Sequence, residues 1–120
     1  MSSSKPRRQR FMRFNAPLHV RQGFAHAHLT KELKTKLSIK RRSAQVRRGD
    51  TVKVVAGDYS GKAGKVSKVS LKSSEAFIEG LTRKNAKGKE LMVPISISKL
   101  YITDLDLTDR LRKEKLGIKA

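Results

Sequence analysis

The chain contains no cysteine, which excludes a disulfide framework and any zinc site built on thiolates. It has no apolar run near the roughly 18 residues needed to span a bilayer, and no hydrophobic signal segment follows its basic start. An intracellular protein without membrane insertion is therefore expected. Acidic residues are scarce, with 10 Asp and Glu against 29 Lys and Arg in 120 residues. The closest carboxylates, Asp104, Asp106 and Asp109, could hold Mg²⁺, but their alternation with Leu105 and Leu107 reads as a solvated strand end and a helix cap. Gly61-Lys62 lacks the spacing and the following Ser/Thr of a phosphate-binding Walker loop. No nucleophile–base pair stands out, so no enzyme, cofactor or small-molecule substrate is expected.

What is present is positive charge. A net charge of +19 on one small domain is strongly self-repelling unless a polyanion offsets it, and nucleic acid is the usual one. Hydrophobic residues make up 37%, below the roughly 45–50% of ordinary globular domains, so part of the chain is expected to lack a core of its own.

The charge is unevenly placed. Residues 1–48 carry fourteen Lys/Arg and one acid, net +13; residues 49–120 carry fifteen and nine, net +6, and the two sum to +19. Residues 1–14 show no apolar periodicity and are expected to form a disordered basic arm. Arg7, Arg8, Arg10 and Arg13 can pair bidentately with phosphate, and Phe11 and Phe14 can stack on unpaired bases. A solvated tail or a nuclear-localisation signal would have the same composition. Residues 15–45 read as an extension that embraces RNA. It holds Asn15, His19 and Arg21 as candidate contacts and one short helix, with Thr30 as cap, Glu32 in the first turn and Leu29, Leu33 and Leu37 on one face. Lys31, Lys34 and Lys36 suit a solvated face as well as an RNA-facing one. Lys40, Arg41 and Arg42, then Arg47 and Arg48, lead a cationic surface into the next segment.

From residue 46 to 105 the pattern becomes that of short strands. Val52 and Val54 alternate with Thr51 and Lys53. Gly57 to Gly61 is a turn cluster. A strand over residues 64–71 breaks strict alternation at Val66 and Val69, as a bulge would. A third strand covers residues 74–81, Asn85 to Gly88 makes a hairpin loop, and Leu91, Val93 and Ile95 alternate. Pro94 points to an edge, and residues 100–102 form a fifth strand. Five short strands in so few residues suit a small barrel. Residues 106–120 are expected to form a helical tail capped by Asp106, holding Leu107, Leu111 and the basic run from Arg110.

The stretch Arg48-Gly49-Asp50-Thr51-Val52-Lys53-Val54-Val55-Ala56-Gly57-Asp58-Tyr59-Ser60-Gly61-Lys62-Ala63-Gly64-Lys65-Val66 closely resembles the KOW motif of ribosomal and transcription-elongation proteins. Phe14 to His19, Leu29 to Leu33 and Lys99 to Leu105 resemble, in the same order, segments of the archaeal and eukaryotic branch of the large-subunit ribosomal protein twenty-four family. The resemblance implies a mainly β chain with a small SH3-like five-stranded barrel. It also implies binding to large-subunit ribosomal RNA near its 5′ domain, beside the peptide-exit tunnel, with neighbouring ribosomal proteins as partners, a cytoplasmic place on the ribosome and early participation in subunit assembly.

The motif also has a chemical reading. Gly57, Gly61 and Gly64 would allow positive φ and leave room for a phosphate backbone. Their amides would donate to RNA oxygens, Lys62 and Lys65 would supply charge, and Tyr59 would stack or hydrogen-bond. Asp50 is expected to shape a turn or cap. His26-Ala27-His28, with His19 and Glu32 nearby, is too thin a set for zinc, and no metal site is expected. A KOW-containing transcription factor, or a free-standing binder of chromatin or messenger RNA, is the competing reading.

Overall fold

A computed structural model describes residues 3–118; the ends of the expected arm and tail, residues 1–2 and 119–120, lie outside the described residues. The arm expected to be disordered is helical from Pro6. Helix α1, Pro6–Asn15, has proline in its first turn, where a missing N–H leaves no bond unmade, and no residue of it is buried. Arg, Gln and Met favour helix by themselves, so propensity rather than packing accounts for this element. Helix α2, Leu18–Phe24, also buries nothing. The two helices touch through Arg21, which donates to the Phe14 carbonyl, and through the Arg13 guanidinium, 5.8 Å from the Phe24 ring centre.

The core begins at Ala25. Strand β1, His26–Leu29, buries Ala27 and Leu29 and exposes His26 and His28. Helix α3, Lys31–Leu37, is the expected one: Thr30 accepts from the Leu33 N–H, and Ser38 ends it in the left-handed region. Leu29 belongs to β1, however, so the helix packs through Leu33, with Leu37 partly covered. Strand β2, Ser43–Gln45, then pairs antiparallel with β1. At four and three residues, β1 and β2 are too short for alternation to announce them.

The five expected strands follow as β3 (Thr51–Val54), β4 (Ala63–Ser70), β5 (Glu75–Lys84), β6 (Glu90–Ser96) and, after a 3-10 turn at Ile97–Lys99, β7 (Leu100–Asp104). The register of β4 on β5 shifts between Val66 and Lys68, where the sequence loses alternation. Sheet order is β2-β1-β7-β3-β4-β5-β6, so Pro94 lies on an edge strand, where a missing N–H is tolerated. The organisation is β-rich and SH3-like, but the sheet does not close: among the described residues no ladder joins β6 back to β3. On the other side, β1 lies parallel to β7 and covers an edge that would otherwise stand free. Val52, Val54, Val66, Ile78, Ile97, Leu100 and Ile102 are almost fully enclosed and form the core centre.

Helix α4, Arg110–Leu116, closes the described chain, with Asp109 rather than Asp106 accepting from the Leu111 N–H as its cap. Leu107 precedes the helix and Leu111 is 66% exposed, so the expected apolar face is not the packed one. Arg112 and Leu116, four residues apart, are the buried pair.

Candidate nucleic-acid interface

Burial of an arginine in so small a domain requires full compensation, and Asp50 supplies it. Arg112 Nη1 and Nη2 donate to Asp50 Oδ1 and Oδ2, each at 2.6 Å, and to the carbonyls of Asp106 and Gln45, each at 2.9 Å. The same carboxylate accepts the Arg47 and Asp106 N–H groups, each at 2.9 Å. Asp50 does shape the turn before β3, as expected, but its larger part is to hold α4 against the end of β2.

A second, exposed tie runs beside it, from Arg47 Nη1 to Asp109 Oδ2 at 2.7 Å. The Arg47 hydrogen bond is the main reason that the Asp109 carboxyl lies below its ordinary value. Asp106 is lowered as well, chiefly by the Thr108 backbone N–H. These carboxylates organise the β7–α4 connection. Among the described residues no three His, Asp or Glu side chains gather in a way that would hold a metal ion. His26 Nδ1 lies 3.0 Å from the Gly23 carbonyl, and His28 meets the Tyr101 ring edge-on at 5.8 Å.

The candidate RNA contacts fall into three groups. Arg7, Arg8, Arg10, Arg13 and Asn15 lie exposed on α1; on α2, His19 is exposed and Arg21 is half-buried against α1. Lys40, Arg41 and Arg42 are exposed in the α3–β2 connection, and Arg47 and Arg48 follow β2. Arg47 is already paired, which lowers its value as a free cation. Gly57, Tyr59, Gly61 and Lys62 form the β3–β4 turn, with Lys65 exposed on β4.

In that turn the Lys62 ammonium stands 5.1 Å from the Tyr59 ring centre, a cation–π arrangement that fixes both groups at the surface. Gly61 has φ +86° and open space where a side chain would stand. Its N–H, however, donates to the Val54 carbonyl at 2.8 Å, and the Lys62 N–H to the Tyr59 carbonyl at 3.1 Å. The Gly61 amide is therefore occupied, which corrects the expectation that it donates to RNA. What Gly61 leaves to a partner is clearance. Gly64 does not have positive φ; a Cβ there would stand 2.6 Å from Ile78 Cγ2 and 2.9 Å from the Glu79 carbonyl oxygen, so this glycine serves strand packing.

Known proteins share this arrangement of sequence. The family of eukaryotic L26 and archaeal L24-type ribosomal proteins matches residues 3–119. The chain belongs to this family. Membership makes it a ribosomal protein by descent and not an enzyme. The chain is similar to the large ribosomal subunit protein uL24 of Methanothrix thermoacetophila, at 48% identity over 95% of this chain and 97% of the relative. It is 45% identical to that of Pyrobaculum islandicum, over 94% of this chain and 90% of the relative. The uL24 of Saccharolobus solfataricus is 44% identical, over 97% and 96%. The match extends through α1 and α4, so the ribosomal protein family includes both elements outside the expected barrel.

Proposed function

We propose that the protein is a structural constituent of the large ribosomal subunit that binds large-subunit ribosomal RNA and assists subunit assembly in the cytoplasm. The binding site we assign is near the 5′ domain of that RNA, beside the peptide-exit tunnel, as the family resemblance implies. The observation that carries the reading is the near full-length family match on a chain of net charge +19. Its exposed cations lie on α1, the α3–β2 connection and the β3–β4 turn. In this mechanism α1 and α2 lie along RNA helices and neutralise close-packed phosphates, while the β3–β4 turn docks with Lys62, Tyr59 and Lys65 on the RNA. Phosphate contacts of this kind position the protein, and RNA is recognised chiefly through its shape.

Sedimentation of tagged protein from cell lysate tests the proposal. Stoichiometric co-migration with large subunits that persists in high salt is expected. Absence of the protein from large subunits would overturn it, and co-migration with RNA polymerase instead would favour the KOW transcription factor.

A further inference from the structure

A groove runs along the face of α4, away from the β3–β4 turn. One part, with a volume of about 980 Å³, lies between α3 and α4 and is lined by Lys36, Lys40, Arg41 and Lys115. The other, about 420 Å³, continues between α4, β2 and α2, where His19, His26 and Ser43 join Arg41 and Lys115. Arg41, Lys115 and Leu116 line both parts, so the two adjoin at these residues along one side of α4. Two sequence segments far apart in the chain, residues 36–41 and Lys115, thus place their cations along this surface.

The electrostatics are one-sided. Among the described residues that line it, Glu114 is the only carboxylate, and it already accepts from Arg110 Nε at 3.1 Å. Arg112 and Arg47 touch the groove but are matched by Asp50 and Asp109. Lys36, Lys40, Arg41 and Lys115 remain as exposed cations without a carboxylate within ion-pair distance among the described residues. A concave surface with low-dielectric walls concentrates that potential.

We infer that this groove is a track for the sugar–phosphate backbone of an RNA strand, with α4 as one wall. The inference rests on the ribosomal RNA-binding reading and deepens it, because it adds the C-terminal helix to the RNA contacts. Lys115 and Arg41 neutralise successive phosphates from opposite sides. Ser43 and the His26 ring supply hydrogen-bonding groups for ribose or phosphate oxygens. The Asp50–Arg112 pair acts as the positioning device: it fixes α4 against β2, and Lys115 follows Arg112 by three residues, close to one turn along the helix.

The test is a salt titration of the full chain with a large-subunit ribosomal RNA transcript, comparing wild type with the double variant Arg41→Gln, Lys115→Gln. Both side chains are exposed, so the fold is retained, and a thermal melt verifies it. Two lost phosphate contacts reduce the slope of log K against log salt by roughly 1.4–1.8, whereas Lys72→Gln, in the β4–β5 turn outside the groove, changes the slope by less than half of that. Wild-type slope in the double variant, or a change no larger than that of Lys72→Gln, would overturn the groove while leaving the RNA-binding reading intact. Failure of the wild type to bind the transcript would instead defeat the underlying reading.

Discussion

The N-terminal helices and the sheet are ordered by different forces. Helices α1 and α2 together bury no residue, whereas the sheet, with α3 and α4 against it, encloses nineteen hydrophobic side chains among the described residues. A ten-residue helix without a packed face is marginal in water; its arginines instead offer one charge after another to an outside partner. The sheet is stable through its own core and leaves its cations at turns and connections. Folding and binding are thus divided between two parts of one chain, and each variant below is expected to affect one part and spare the other.

The largest stability effect is expected at the Asp50–Arg112 pair. Arg112→Ala leaves the Asp50 carboxylate, fully enclosed, without its counter-charge, a change that costs about 3–5 kcal/mol in comparable buried pairs. Chemical denaturation should show this loss with α1 and α2 present or deleted. A loss below about 1 kcal/mol would mean that the sheet does not depend on the α4 anchor.

Deletion of residues 1–14 is the complementary variant. It removes Arg7, Arg8, Arg10 and Arg13, and at about 0.7–0.9 per phosphate contact the salt slope for ribosomal RNA should fall by roughly 3. The denaturation midpoint of the sheet should stay unchanged. An unaltered slope would show that α1 does not clamp phosphate, and a lowered midpoint would show that the two parts are not separable.

Much of the sheet was legible from the sequence because its signals are local: alternation at Val52 and Val54, the broken period at Val66, Pro94 on an edge. The sequence was less informative where pairing decided the outcome. β1 acquires strand geometry from the β7 edge and β2 from β1, which nothing within His26–Leu29 reveals. On α4 the apolar rule pointed to Leu111, yet Arg112 is buried, because burial of a charge depends on a partner 62 positions away. The cations that line the groove were partly legible as clusters near residues 40–42, but Lys115 became part of that surface only once Asp50 had placed α4. α1 was missed for the opposite reason: helix propensity without amphipathicity gives no period to read.

Two glycines in the KOW stretch sharpen the contrast between folding and binding within the sheet itself. Gly64→Ala drives a Cβ into Ile78 and the Glu79 carbonyl, and overpacking of this kind costs about 1–3 kcal/mol. Its RNA affinity, measured below the melting range, should be close to that of wild type. A Cβ at Gly61 would meet no protein atom within 4 Å, but Gly61→Val strains a positive-φ position and fills the clearance on the turn's outer face. RNA affinity should therefore fall more for Gly61→Val than for Lys72→Ala, with the melt separating turn strain from lost contact. Equal affinities for the Gly61 and Lys72 variants would remove the turn from the interface.

The smallest effect is expected at the exposed tie between Arg47 and Asp109, which joins the same two elements as the buried pair. The folded Asp109 carboxyl lies below its ordinary value of 3.8. Its contribution is therefore fully present above that value and is lost as pH falls through the lower, folded one. Asp106 has the same sign. Melts of wild type and Asp109→Asn should differ slightly at neutral pH, because solvent screens an exposed pair, and converge as pH falls through the lowered, folded value and the wild-type carboxyl protonates. A gap that persisted unchanged into acid would mean that Asp109 acts through its cap on the Leu111 N–H, which asparagine replaces imperfectly, and not through its charge. In that case the anchoring of α4 would rest electrostatically on Asp50 alone, and the groove wall would owe its position to the buried pair.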